Sequence, residues 1–244
     1  VAACGRGPVA WGEEQRVEGR MNPGARLVFG AGGLPAAVPA FRPPLLPDTL
    51  TACAATMVVE PLHGDTIVAV WWAREAAGAR VHTARSDDGG YNWRTAVALP
   101  ATAAGCPALP PAIGSDSVSG RVVVAAVAVV PPAASPTLVV SRSDRLAMTF
   151  APPTPVLVTE PTPIAAALSG NTVAVVYLAG GMGSPPRAWL ALSQDGGQIF
   201  PVRTAVSSAS AAANAPAVAV RDSSVAVAWN EPTAAVVKSG RLRP

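Results

Sequence analysis

An all-β fold, a propeller-like array of about four four-stranded antiparallel blades, is what this sequence predicts, and three observations carry that prediction. The stretch Ser86-Asp87-Asp88-Gly89-Gly90-Tyr91-Asn92-Trp93 recurs as Ser193-Gln194-Asp195-Gly196-Gly197-Gln198-Ile199-Phe200, with one Ser-x-Asp-x-Gly-x-x-aromatic spacing. Four apolar runs, Thr66–Trp71, Arg121–Ala126, Thr172–Tyr177 and Ser224–Trp229, begin 55, 51 and 52 residues apart and align without gaps. The composition joins 26 Pro and 22 Gly to 50% apolar and 14% charged residues, a turn-rich globular balance that excludes a disordered chain.

Residues 1–50 read as an N-terminal arm. Val9–Trp11 is a short strand signal, Arg26-Leu27-Val28-Phe29 is a better one, and glycines and prolines from Gly30 to Pro39 break any continuation of it. From residue 51 to 244 the pattern is regular, with repeats at about 51–100, 106–158, 162–206 and 215–244. Each repeat opens on a short strand and turns at His63-Gly64-Asp65, Ser119-Gly120, Gly170-Asn171 or Asp222-Ser223. The second strands are the four aligned runs, whose near-continuous apolar character requires both faces to be covered. Third strands are expected at Val81–Ser86, Thr137–Ser143, Ala188–Ser193 and Ala234–Ser239, and fourth strands at Thr95–Leu99, Pro155–Val158 and Arg203–Val206. The last repeat stops before a fourth strand, and Arg26–Phe29 is the candidate to supply it and close the ring.

The repeated stretch between third and fourth strands suits a tight turn. A Ser hydroxyl and an Asp carboxylate can accept backbone N–H groups, Gly supplies positive φ, and the aromatic buries itself beneath. Ser143-Asp144-Arg145-Leu146-Ala147-Met148-Thr149-Phe150 is an eroded copy with Arg and Ala where Asp and Gly belong, and Ser239-Gly240-Arg241-Leu242 is fainter. With these motifs in place, residues 41–244 resemble the sialidase-like β-propellers with Asp-box (BNR) repeats.

The resemblance implies that Ser86, Asp88, Gly90, Trp93, Ser193, Asp195, Gly197 and Phe200 hold the fold at the rim and perform no chemistry. It also makes Arg42, in Phe41-Arg42-Pro43-Pro44, and Arg74 candidate remnants of a sialidase substrate site. No Asp lies between Arg74 and Ser86 to act as acid/base, Tyr91 falls in a box and Tyr177 in a strand, so the expectation is a catalytically degenerate member with no catalytic residues.

Other chemistry is thin. No Cys/His/carboxylate spacing suggests a metal, no Gly-rich loop precedes a helix, and no cofactor is implied. Seventeen of the 18 basic residues are Arg and they are scattered, which argues against a nucleic-acid surface despite the net charge of +3. Cys53 and Cys106 each precede the first strand of a repeat, so they are either a disulfide between neighbouring units or two free buried thiols. Val1-Ala2-Ala3-Cys4 resembles the lipobox of bacterial lipoproteins, and the start at Val suggests that a signal peptide has been removed.

Together these give an exported, extracytoplasmic, non-catalytic propeller serving as a protein-binding or accessory subunit. Its partner is expected to be another protein or a larger membrane-associated assembly, with Trp11 in the polar segment 1–25 as the candidate anchor. Membrane contact would come only through a lipid on Cys4 or through the partner. The alternative is a carbohydrate-binding or glycoside-cleaving protein. The loop Gly180–Pro186 is a place where such a face could acquire binding function.

Overall fold

In the computed structural model the described residues are 10–11, 29–30, 51–53, 58–90, 92–129, 136–144, 147–156, 164–180 and 183–242. They form strands only: β1 (Ala10–Trp11), β2 (Phe29–Gly30), β3 (Thr51–Ala52), β4 (Val58–His63), β5 (Thr66–Glu75), β6 (Gly78–Ser86), β7 (Val97–Ala103), β8 (Ala112–Asp116) and β9 (Arg121–Ala128) come first. After them come β10 (Thr137–Arg142), β11 (Thr154–Pro155), β12 (Ile164–Ser169), β13 (Thr172–Ala179), β14 (Arg187–Ser193), β15 (Val202–Ala205), β16 (Asn214–Arg221), β17 (Ser224–Glu231) and β18 (Ala234–Arg241).

Four successive antiparallel sheets result. The first joins β4-β5-β6-β7, with β3 added along the far end of β5; the second is β8-β9-β10-β11, the third β12-β13-β14-β15, and the fourth β16-β17-β18. Apart from β3, chain order equals spatial order within each, because successive strands pair antiparallel with their neighbours. The fold is all-β and propeller-like, and its sheets do not close into a ring. Phe29–Gly30 pairs antiparallel with Ala10–Trp11 instead of completing the fourth sheet, which corrects the expectation of a closing strand. The nearer partner in sequence carries the smaller loop-closure cost.

The second strands set the packing. Alternate residues of β5 point to opposite faces, so Val68, Val70 and Trp72 enter one core with Val122, Val124 and Ala126 of β9. Val123 and Ala125 continue into a core with Val173, Val175 and Tyr177 of β13, and Ala174, Val176 and Leu178 into one with Val225, Val227 and Trp229 of β17. Ala69, Trp71 and Ala73 form a fourth cluster with Ala84 on the other face of the first sheet. The next face in the series, Ala226, Ala228 and Asn230, is half-buried to exposed, as are Ala217, Ala219 and Val237 beside it.

The first fourth-strand runs over Val97–Ala103, later than the expected Thr95–Leu99, and accommodates Pro100 because an edge strand can spare one N–H. The second is described only over Thr154–Pro155, and residues 157 and 158 of the expected strand lie outside the described residues.

One close approach fixes how the second and third sheets meet. A Cβ on Gly114 of β8 would lie 2.7 Å from the Ala167 Cα of β12 and 2.9 Å from its N. Backbone, not a flexible side chain, occupies that space, so Gly114→Ala should force the inner strands apart at a cost of about 1–3 kcal/mol. Thermal melts of the two proteins check this, and an unchanged Tm would show that the two sheets part freely.

Candidate functional site

The repeated turns are closed by their own side chains. Ser86 Oγ accepts the Gly90 N–H at 2.8 Å and donates to Asp88 Oδ1 at 2.7 Å, while Asp88 accepts the Asn92 N–H at 2.8 Å and the Asn92 amide at 2.6 Å. In the second copy Ser193 Oγ accepts the Gly197 N–H at 2.9 Å and donates to Asp195 at 2.6 Å, and Asp195 accepts from Gln198 at 2.8 Å and Ile199 at 3.1 Å. Gly90 and Gly197 have φ of 97° and 91°, in the region where a side chain is strained. Trp93 donates its indole N–H to the Gly90 carbonyl at 3.0 Å, and Phe200 is buried. The polar groups of both turns are thus engaged in holding the turns themselves.

The eroded copy repairs itself one position early. Asp144, beside Ser143, accepts the Thr149 N–H at 3.0 Å, the Met148 N–H at 3.2 Å and the Thr149 hydroxyl at 2.5 Å. Ala147 there adopts φ 53°. Sequence reading missed this because it held the carboxylate to a fixed offset from Ser.

Carboxylates elsewhere are also committed. Asp87 pairs with Arg85 and, at 2.7 Å, with Arg94. Asp116 accepts from Val118, from Ser119 at 2.6 Å and from the Gly170 N–H of the next sheet at 3.1 Å. Glu75 takes His82 Nε2 at 3.0 Å and Arg80 at 3.3 Å, and the buried His82 ring stacks on Trp71 with centroids 5.9 Å apart.

Glu60 differs. It sits on the inner strand β4, and Ser115 Oγ of β8 lies 3.0 Å from its Oε1 and 2.9 Å from the Pro61 carbonyl. Burial pushes the Glu60 carboxyl above its usual range against the pull of the Ser115 hydroxyl. A proton held there stabilises the fold at acid pH and is lost as pH rises through that raised value. One carboxyl with a raised pKa is half of what glycoside cleavage needs, since both stereochemical routes use two facing carboxyl groups. Ser115 was not foreseen, because nothing in a lone Ser-Asp before a turn marks an inter-sheet contact.

At the opposite ends of the strands lies a cleft of about 470 Å³ between the first, second and third sheets. Trp72, the β7 end at Thr102 and Ala103, the connector Ala104–Pro110, Val127–Val129, Pro136 and Ile164 line it. Its described side chains include no charged group. The disulfide Cys53–Cys106 anchors the connector, with Gly105 and Pro107 on either side of Cys106, and the Cys53 N–H donates to the Trp72 carbonyl at 2.8 Å. In loop-entropy terms a cross-link over 53 residues stabilises the chain by about 4 kcal/mol.

Of the candidate sialidase remnants, Arg74 is an exposed residue of β5 opposite Thr51, and Arg42 lies outside the described residues, as do Cys4 and the side chain of Trp11. The loop Gly180–Pro186 is described only in part. Among the described residues no group of three His, Cys, Asp or Glu side chains could hold a metal ion. Among the described residues there is no helix long and apolar enough to cross a membrane.

No protein-family model matches the chain, and no curated protein matches it by sequence. Solved structures do. An α-L-arabinofuranosidase from Fusarium graminearum, in complex with an iminosugar inhibitor, is 15% identical with a TM-score of 0.50, over 72% of this chain and 58% of that one. An α-L-arabinanase from Penicillium chrysogenum with arabinobiose is 13% identical, TM-score 0.46, over 72% and 57%. A Trypanosoma rangeli sialidase with the inhibitor DANA is 14% identical, TM-score 0.46, over 75% and 35%. The first likeness places the all-β, propeller-like fold, and at these identities it speaks to the fold alone. The chain spans little more than half the length of the first two.

The second turn provides a test of what such a carboxylate does. Burial pushes the Asp195 carboxyl up, but the Ser193 hydroxyl and the backbone N–H groups of Ile199 and Gln198 outweigh it and hold the group below its usual 3.8. Asp195→Ala should cost about 1–3 kcal/mol at neutral pH. Because the folded-state pKa is depressed, that contribution is present above the ordinary Asp value and is lost as pH falls through the depressed one. Melts of the two proteins should therefore converge as the buffer is taken down through that depressed value, and a gap that persists at the acid end would contradict the carboxylate's role.

Proposed function

We propose that this chain is a non-catalytic binding module, an exported accessory subunit of the Asp-box propeller type that engages another protein through its fourth sheet. The observation that carries the reading is an exposed apolar face on that sheet. Val237 is 68% exposed and shares its face with Ala226 and Ala228 of β17 and Ala217 and Ala219 of β16. Such a face of small apolar side chains suits a partner's sheet or apolar surface. The disulfide supports export, since such bonds persist in oxidising compartments.

The other reading, glycoside cleavage, draws on the substrates of the enzymes that share the fold. Against it stand, among the described residues, a single raised carboxyl at Glu60 and a cleft without a charged side chain. Co-purification from the native source should recover a partner with the wild-type chain, and Val237→Lys should lose it with no change in Tm. Steady sugar release from an arabinan or a sialoside, abolished by Glu60→Gln, would overturn the non-catalytic reading.

A further inference from the structure

The cleft beside the disulfide has a chemistry of its own, unrelated to the fourth sheet. Trp72, Val127, Val129, Leu109 and Ile164 present carbon to it from three sheets and the connector. The one side-chain hydroxyl in its described lining, on Thr102, donates to the Val129 carbonyl at 3.0 Å. The two backbones are stitched there as well, Val129 N–H to the Thr102 carbonyl at 2.7 Å and Thr102 N–H to the Val129 carbonyl at 3.3 Å. Those polar groups thus satisfy each other, and the Trp72 indole N–H is the one other polar side-chain group in the described lining. Pro107, Pro110 and Pro136 carry no N–H at all.

A volume of about 470 Å³ falls within the roughly 300–1,000 Å³ range of small-molecule sites. The lining decides among occupants. A sugar would bring hydroxyls, and a peptide would bring a backbone, that lose water without regaining hydrogen bonds on these walls. A phosphate or carboxylate would find no described cation in the lining. A hydrocarbon chain incurs none of these costs, and its transfer out of water is favourable in proportion to its length.

We propose that the cleft is a binding site for a linear aliphatic chain, the tail of a fatty alcohol or other single-chain lipid, with the polar head left at the mouth in solvent. Leu109 and Ala108 sit exposed on the connector that forms the mouth. The reading goes beyond the protein-binding proposal and does not depend on it.

Calorimetric titration of the full chain with n-alkanols from butanol to decanol tests it. Affinity should rise about fourfold with each methylene, the ratio set by its transfer free energy, until the cleft is full. Ala108→Trp, which fills the mouth, and Leu109→Glu, which charges it, should each weaken decanol binding at least tenfold while Tm stays near wild type. Two variants at exposed positions guard against one failing to fold. Affinities that do not climb with chain length, or decanol binding that both folded variants retain, would overturn the proposal. Loss of partner capture in Val237→Lys leaves these titrations unaffected, so the two proposals fail separately.

Discussion

The stack depends on one requirement, that the second strand of each sheet be apolar on both faces. In β5, β9 and β13 the odd and even residues enter different cores, so each strand presents a packed face on either side of its sheet. Fully burying one Val, Leu or Phe side chain is worth about 1.5–3 kcal/mol, whereas one net hydrogen bond gives about 1 kcal/mol. The sheets are thus held chiefly by these faces, and the ladders fix register. β17 satisfies the requirement on one side only. Val225, Val227 and Trp229 are buried, whereas Ala226 and Ala228 are not.

Hydrogen bonds add direction to this. The hairpin turns at the inner edge reach across to the next sheet: Ser115 to Pro61, Asp116 to the Gly170 N–H, Arg121 to the Gly170 carbonyl at 2.6 Å, and the Asp222 N–H to Ser169 at 3.2 Å. The Ser-Asp-Gly turns at the other side of each sheet bond mainly within themselves. Inner turns therefore set how the sheets are placed, and outer turns set whether each third strand hands over to a fourth. The same residue types serve both edges of the sheet, and only the reach of the side chain distinguishes them.

How much of this was legible depends on range. The four second strands and their turns could be read because a repeat of about 52 residues aligned them, and alternation within β17 is local. The disulfide stayed open in the sequence, since spacing brings Cys53 and Cys106 to neighbouring units and says nothing of whether the sulfurs face each other. Phe29 could be recognised as strand-forming, but its partner could not, because Ala10–Trp11 is a two-residue signal. The cleft was illegible altogether: Trp72, Leu109, Val129 and Ile164 are ordinary core residues in any window of sequence, and a cavity is a property of how three sheets fail to meet.

The placement of that failure has a physical cause. The turns after the first and third strands, rich in Ser, Asp and Gly, all lie at one end. The opposite end carries the turns after the second strands and the connectors between sheets, and the connector from β7 to β8 is built of Ala, Gly, Pro and Leu around Cys106. Such a connector cannot hydrogen-bond its way onto the sheets through side chains, so the Cys53–Cys106 bond holds it where polar contacts do not. A covalent tie fixes position without filling volume, and the space beneath remains open between Trp72 and Ile164. The turns that hold the fold and the surface free to bind are thereby separated by the length of a strand, which lets the second vary with little effect on the first.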